Sequence, residues 1–141
     1  MCSSDLVLAV YVLDNAGSVQ TKGATATGHS ATAVTAWTEG ITSTVSGSWV
    51  LAAGAGSVLG TVTPQSTTTG LSNDQDSTDQ VSLLTGKQCA ATVTPGSVTL
   101  GWTSSAAGLY AVALMEILPL ITPPPPPFTL TMQAVKRAAY Y

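Results

Sequence analysis

The chain is short of charge. Charged residues make up 8% of its 141 residues, only four are Lys or Arg, and the net charge is −3. Without a basic stripe the chain has nothing to neutralise a row of phosphates, so we predict no nucleic-acid partner. Glu116 and Pro119 interrupt the longest apolar stretch, and no run reaches the roughly 20 residues of a membrane-spanning helix. We therefore predict no membrane span.

Cysteine and histidine are also scarce. A disulfide between Cys2 and Cys89 is possible, but the spacing of two cysteines so far apart in the chain does not predict one. If Cys2 is foreign to the protein, Cys89 is expected to be a small buried hydrophobe. His29 is the single histidine, so a Ser-His-Asp triad would need it and a zinc site would lack partners. We expect an inert surface histidine, no catalytic residue and no cofactor-binding residue.

Apolar residues, threonine, serine and glycine dominate instead. Apolar residues account for 45% of the chain and glycine for 13 positions, while Ser and Thr together make up roughly a quarter. Thr and Val favour pleated, half-buried surfaces, and the strong helix formers are few. This composition indicates an all-β domain of the kind common in secreted and virion-surface proteins. We therefore expect an extracellular or virion location.

The opening residues Met1–Leu6 resemble a translated sequencing adapter. Cys2–Leu6 back-translates as TGC TCT TCC GAT CTN, and a GTG start codon in front supplies Met1. The residues that follow, 7–13, are apolar on both faces, as strands inside a sandwich are. Because such a strand needs neighbours, we expect the natural domain to begin earlier and several strands to be missing here. A genuine N-terminal tail is the alternative.

Short apolar runs separated by turn residues predict the strands. The expected strands cover residues 6–13, 31–38 with a continuation over 41–45, 48–53, 81–84, 88–94, 97–103 and 109–118. Residues 18–30 are expected to be loop with at most a short edge strand, 66–80 a long polar loop and 104–108 a hairpin loop. An α-helix is the rival interpretation for 109–118. Together these predict an antiparallel β-sandwich, jelly-roll-like and N-terminally truncated.

Composition also divides the chain. We assign residues 1–6 to the adapter-derived stretch, 7–121 to the incomplete sandwich domain and 122–127 to a linker. The linker contains five consecutive prolines, which form a stiff spacer of about 15 Å. Residues 128–141 start a further module or form a tail that docks back.

Three stretches together resemble a known kind of domain. They are Gly47–Ala53 (GSWVLAA), Pro95–Trp102 (PGSVTLGW) and Tyr110–Ile117 (YAVALMEI). They are similar to the second half of a jelly-roll-like β-sandwich found in uncharacterised phage tail-associated and secreted bacterial proteins. The resemblance implies a sandwich with strands preceding this chain. It brings no catalytic motif and no site residue.

One acidic stretch is the best metal candidate. Asp74, Asp76 and Asp79 lie in NDQDSTD, and Ca²⁺ binds six to eight oxygens from a compact loop. The stretch lacks the glycine and the closing glutamate of an EF-hand. A solvated acidic loop without calcium is the alternative, and it is favoured.

Aromatic and acidic residues give weaker candidates. Trp49 and Trp102 fall on apolar strand faces and are expected in the core, whereas Trp37 at a strand end is expected to be the most exposed and could stack on a sugar. Glu116 lies in an apolar strand, where burial could raise its pKa. We expect its carboxylate to reach solvent or to cap a backbone group.

Three functions fit these expectations. The first is a non-catalytic structural or adhesive module of a phage virion or bacterial surface protein, partnered by other modules. The second is an accessory carbohydrate-binding module of a secreted polysaccharide-degrading enzyme, with glycans as partners. The third, a truncated hydrolase domain, is disfavoured because no His, Asp and Glu constellation is evident.

Overall fold

The computed structural model describes residues 22–92 and 94–119. These residues form eight strands and no helix. The strands are β1 (Lys22–His29), β2 (Val34–Thr42), β3 (Trp49–Gly56), β4 (Val62–Pro64), β5 (Thr68–Asp76), β6 (Val81–Gln88), β7 (Ser97–Gly108) and β8 (Tyr110–Ile117). Within the described ranges, no segment has the helical length and apolarity needed to cross a bilayer.

The strands build two antiparallel sheets. A five-stranded sheet has the order β1-β8-β3-β6-β5, and a three-stranded sheet has the order β2-β7-β4. The pairing is nested: β1 pairs with β8, β2 with β7 and β3 with β6. The predicted all-β antiparallel sandwich is therefore confirmed, with the nested connectivity of a jelly roll. The strands expected before this chain, and the predicted strand 6–13, lie outside the described residues.

Two segments predicted as loops are strands, and a third, for which at most a short edge strand was expected, is an edge strand of eight residues. Of residues 18–30 the structure describes 22–30, and nearly all of these form β1. Much of the predicted polar loop 66–80 is β5. The predicted hairpin loop 104–108 continues β7, so the turn into β8 is a single residue, Leu109. The predicted strand 109–118 is confirmed, and the helical alternative for it is wrong. β5 and β1 are the outer strands of their sheet, and an edge strand needs less apolar surface than a central one.

Tryptophan rings fill the space between the sheets. Trp37 and Trp102 are each 1% exposed and belong to the core cluster. Their rings occupy room left by two glycines of β3: a Cβ at Gly54 would lie 3.0 Å from Trp102 Cζ3, and a Cβ at Gly56 would overlap the Trp37 ring. The Trp37 indole N–H also donates to the Val34 carbonyl at 2.9 Å. Gly54 and Gly56 thus allow the tryptophan rings to approach the backbone of β3 closely.

The alternation of β3 and β8 leaves a second face outside the core. Val50 and Ala52 of β3, and Val112 and Leu114 of β8, are buried against the other sheet. The residues between them point the opposite way, since successive side chains alternate across a strand. In both strands these outward positions include alanines, and they form the centre of the surface described next.

Candidate functional site

The outer surface of the five-stranded sheet carries three rows of side chains, which we call the alanine face. Strand register defines the rows, each written in the order β1, β8, β3, β6, β5. They are His29, Ala111, Ala55, Leu83 and Asp74; Thr27, Ala113, Ala53, Thr85 and Ser72; and Thr25, Met115, Leu51, Lys87 and Thr69.

Short side chains make the middle of the alanine face shallow. Ala111 and Ala113 are exposed, and Ala53 and Ala55 are half-buried. Around them lies a depression of about 510 Å³. Its side chains belong to Thr27, His29, Ala53, Ala55, Leu83, Ala111 and Ala113. Alanines form its floor, and a shallow apolar floor suits packing against another surface.

Polar groups lie toward one end of the alanine face and along both of its edges. Lys87 Nζ sits 4.9 Å from the centre of the Trp49 ring, within the range of a cation–π contact. The hydroxyls of Ser72 and Thr85 hydrogen-bond across β5 and β6 at 2.7 Å. His29 is exposed at the opposite edge, in agreement with the expected surface histidine.

The acidic stretch is an edge strand and a turn. Asp74 and Asp76 belong to β5, and Asp79 follows in the turn to β6. Asp76 Oδ1 accepts the N–H groups of Thr78 at 2.7 Å and Asp79 at 3.4 Å, so it closes this turn. An extended strand spreads its carboxylates instead of gathering them. Among residues 22–92 and 94–119 no three His, Cys, Asp or Glu side chains come close enough to hold a metal ion together, so the structure does not bring Asp74, Asp76 and Asp79 into one group.

The exposure predicted for Trp37 is wrong. Its ring packs between the sheets and stacks on Tyr110 with ring centroids 6.4 Å apart, so its faces are closed to a sugar. It lies in the middle of β2, because the strand runs through Gly40 and does not end at Trp37. Trp102 is in the core as expected, whereas Trp49 is half-buried on the outer side, beyond the third row of the alanine face.

Glu116 is a buried carboxylate held by backbone donors. It is fully buried. Its Oε2 accepts the Ala24 N–H at 3.0 Å and the Thr44 hydroxyl at 2.9 Å. Its Oε1 accepts the N–H groups of Thr44 at 2.7 Å and Val45 at 3.3 Å. The expectation that Glu116 caps backbone groups is confirmed, and it does so for two segments at once.

These hydrogen bonds reverse the effect of burial on acidity. Burial alone would raise the pKa of Glu116, but the N–H donors of Ala24 and Thr44, with the nearby hydroxyls of Ser48 and Thr44, lower the pKa to about 2. The predicted rise is therefore wrong. A carboxylate that stays ionised and is closed to water is a poor proton donor. Glu116 acts as a fixed negative charge that ties β8 to β1 and to the segment after β2.

Cys89 is an exposed free thiol, which corrects the expected buried position. Its sulfur accepts from the Thr69 hydroxyl at 3.4 Å and donates to the Ser66 carbonyl at 3.4 Å. It borders a second depression, of about 540 Å³, in which Ala90, Ala91 and Val98 lie beside a set of hydroxyl and amide side chains. Those side chains are Ser66, Thr67, Gln88, Thr92, Thr94, Ser97 and Thr99. Cys2 lies outside the described residues, as does any pairing with it.

The alanine face was not predicted from the sequence, because the predictions of sites rested on polar residue types. An alanine at alternate positions of two paired strands, Ala53 and Ala55 with Ala111 and Ala113, was the available signal. Comparison of the chain with known proteins found no match: no protein-family model, no curated protein and no solved structure matches it.

Proposed function

We propose that this chain is a non-catalytic structural or adhesive β-sandwich module of a phage virion or a bacterial surface protein. The observation that carries the proposal is the alanine face: a broad, shallow surface whose central side chains are short and uncharged. Such a surface on a sheet favours contact with another protein layer, because short side chains let two sheets approach closely.

Two further observations support a structural role. The carboxylate of Glu116 is buried and committed to backbone N–H groups, which supports the non-catalytic part of the proposal. The stretches Gly47–Ala53, Pro95–Trp102 and Tyr110–Ile117 resemble domains of phage tail-associated and secreted bacterial proteins. The proline-rich linker 122–127, which lies outside the described residues, would join the sandwich to a further module.

A carbohydrate-binding module remains the second candidate. The hydroxyl-lined depression beside Cys89 favours it, because hydroxyl and amide groups can hydrogen-bond a sugar. The tryptophan platform does not favour it, since Trp37 and Trp102 are buried and Trp49 is half-buried against Lys87. The structural role therefore stands first.

Immunogold electron microscopy would test the structural role. Antibodies raised against the purified chain should label virions or the cell surface in material from the source of the sequence. A protein found only free in the medium, together with binding on a glycan array, would overturn the structural proposal in favour of carbohydrate binding. The matched glycan-array variant is Thr99→Arg, which blocks the hydroxyl-lined depression; Thr103→Arg, exposed further along the same strand, is its control.

A further inference from the structure

The alanine face has an approximate mirror order about its middle strand. β3 is central in the five-stranded sheet, with β8 and β6 on either side and β1 and β5 at the two edges. In the first row His29 and Asp74 each lie two strands away from Ala55, on opposite sides. Ala111 and Leu83 each lie one strand away from it. Each symmetric pair of positions in this first row joins unlike side chains, whereas the outer pair of the third row is Thr25 and Thr69.

Unlike pairs make the first row of the alanine face complementary to itself. When a second copy is turned over about an axis parallel to β3, its β5 lies over β1 of the first copy and its β6 over β8. Leu83 of one copy then lies over Ala111 of the other, a large side chain over a small one. His29 lies over Asp74 of the second copy, an imidazole N–H donor opposite a carboxylate acceptor.

We propose that the alanine face binds a second copy of this chain, face to face, about a two-fold axis that runs along β3. This interface is isologous, so every contact occurs twice. The inference rests on the proposed structural role in one respect only, namely that the alanine face is a protein-packing surface. It names the partner that the structural role leaves open.

Packing of the second copy follows the rules for stacked sheets. Two sheets lie about 10 Å apart when their side chains interdigitate. In the first two rows Ala55 and Ala53 lie on the axis and meet their own counterparts, where longer side chains would collide. Leu51, on the axis in the third row, meets its own counterpart at a wider spacing. Leu83 of each copy enters the depression of about 510 Å³ on the other. Because the third row carries the longer side chains of Leu51, Met115 and Lys87, the closest contact is expected around the first two rows.

The size of the face sets the strength of the contact. Five strands about 4.8 Å apart and three rows cover roughly 24 by 20 Å, which buries on the order of 1,000 Å² over both copies. That is the lower limit for a specific interface. We therefore expect a reversible dimer in the micromolar range.

Sedimentation velocity of the full chain, from about 1 to about 300 μM, tests the proposal in the range where such an interface dissociates. The wild-type chain is expected to shift from monomer to dimer. Ala111→Arg places a long charged side chain over Leu83 of the second copy and should weaken the dimer at least tenfold. Ala36→Arg is the matched control: it changes an exposed strand alanine of the other sheet and should leave the dimer intact.

A charge swap tests the orientation of the two copies. His29→Asp and Asp74→His should each weaken the dimer, because like groups then face each other, and the double variant should restore it. A dimer without this rescue would overturn the proposed axis. A monomeric wild-type chain at the highest concentration, or equal effects of Ala111→Arg and Ala36→Arg, would overturn the second copy as occupant. Immunogold labelling is independent of these results, so the structural role could stand while the dimer fails.

Discussion

Glu116 accepts both the backbone N–H and the hydroxyl of Thr44, at 2.7 and 2.9 Å, although the two residues are 72 positions apart in the chain. With the Val45 N–H, one carboxylate therefore binds the segment after β2 three times, and Ala24 at the start of β1 once. A charged acceptor with several N–H donors makes stronger hydrogen bonds than a neutral one. The arrangement also makes the fold sensitive to acid.

The first prediction concerns pH. The folded pKa of Glu116 is lowered from 4.5 to about 2, so its ionised form stabilises the fold fully above pH 4.5. This stabilisation is lost as the pH falls from 4.5 towards 2. The shift corresponds to roughly 3 kcal/mol. Thermal unfolding followed by circular dichroism between pH 7 and pH 2 should show this loss.

Glu116→Gln is the matched variant for the pH prediction. Its amide NH₂ must face one of the N–H donors, which leaves a buried donor unsatisfied and costs roughly 2–4 kcal/mol at pH 7. The two melting curves should converge as the pH falls towards 2, because the wild-type carboxyl is then becoming protonated. Melting temperatures that run parallel over the whole range would contradict the role of Glu116.

The second prediction concerns two glycines on paired strands. A Cβ at Gly101 of β7 would overlap the Trp37 carbonyl and lie 2.8 Å from the Thr38 Cα, and backbone atoms cannot move aside cheaply. A Cβ at Gly40 of β2 would meet only the Thr99 hydroxyl, at 3.8 Å. Gly101→Ala should therefore cost at least about 2 kcal/mol, and Gly40→Ala should stay within about 0.5 kcal/mol of the wild type. Urea unfolding of both variants measures this difference, and equal losses would refute it.

The third prediction concerns tryptophan accessibility. Trp37 and Trp102 are buried, whereas Trp49 is half-buried. Iodide should quench only a minor part of the native emission, and Trp49→Phe should remove most of that part. In denaturant all three side chains should become accessible. A native quenchable fraction that persists in Trp49→Phe would place another tryptophan at the surface.

Central strands were predictable because burial requires apolar residues. β3, the first half of β7 and β8 carry apolar side chains at the positions that face the core. β5 gave no such signal. Its sequence TTGLSNDQD is polar, and it is held at the sheet edge by backbone pairing with β6 and by the Ser72–Thr85 contact. A strand that buries almost nothing has no hydrophobic pattern to read.

The sites were less predictable than the strands. The donors that lower the pKa of Glu116 are mostly backbone N–H groups from distant segments. Almost every residue has such a group, so the residue types do not indicate which ones will bind Glu116. Burial of Trp37 depended on the absence of a side chain at Gly56, which is opposite it only once the sheets pack. The rows of the alanine face depend on register between five strands, which single-strand patterns do not specify.

The nested pairing of the strands has a consequence for synthesis of the protein. Of the described strands β1 leaves the ribosome first, yet its sheet neighbour is β8, the last of them to be made. β8 also lies between β1 and β3, so the five-stranded sheet cannot close until the residues up to Ile117 have emerged. Because distant contacts must form before they stabilise anything, folding is expected to be slow, on the order of milliseconds to seconds. Until then the nascent chain presents unpaired strand edges, and a chaperone that shields them would raise the yield of folded protein.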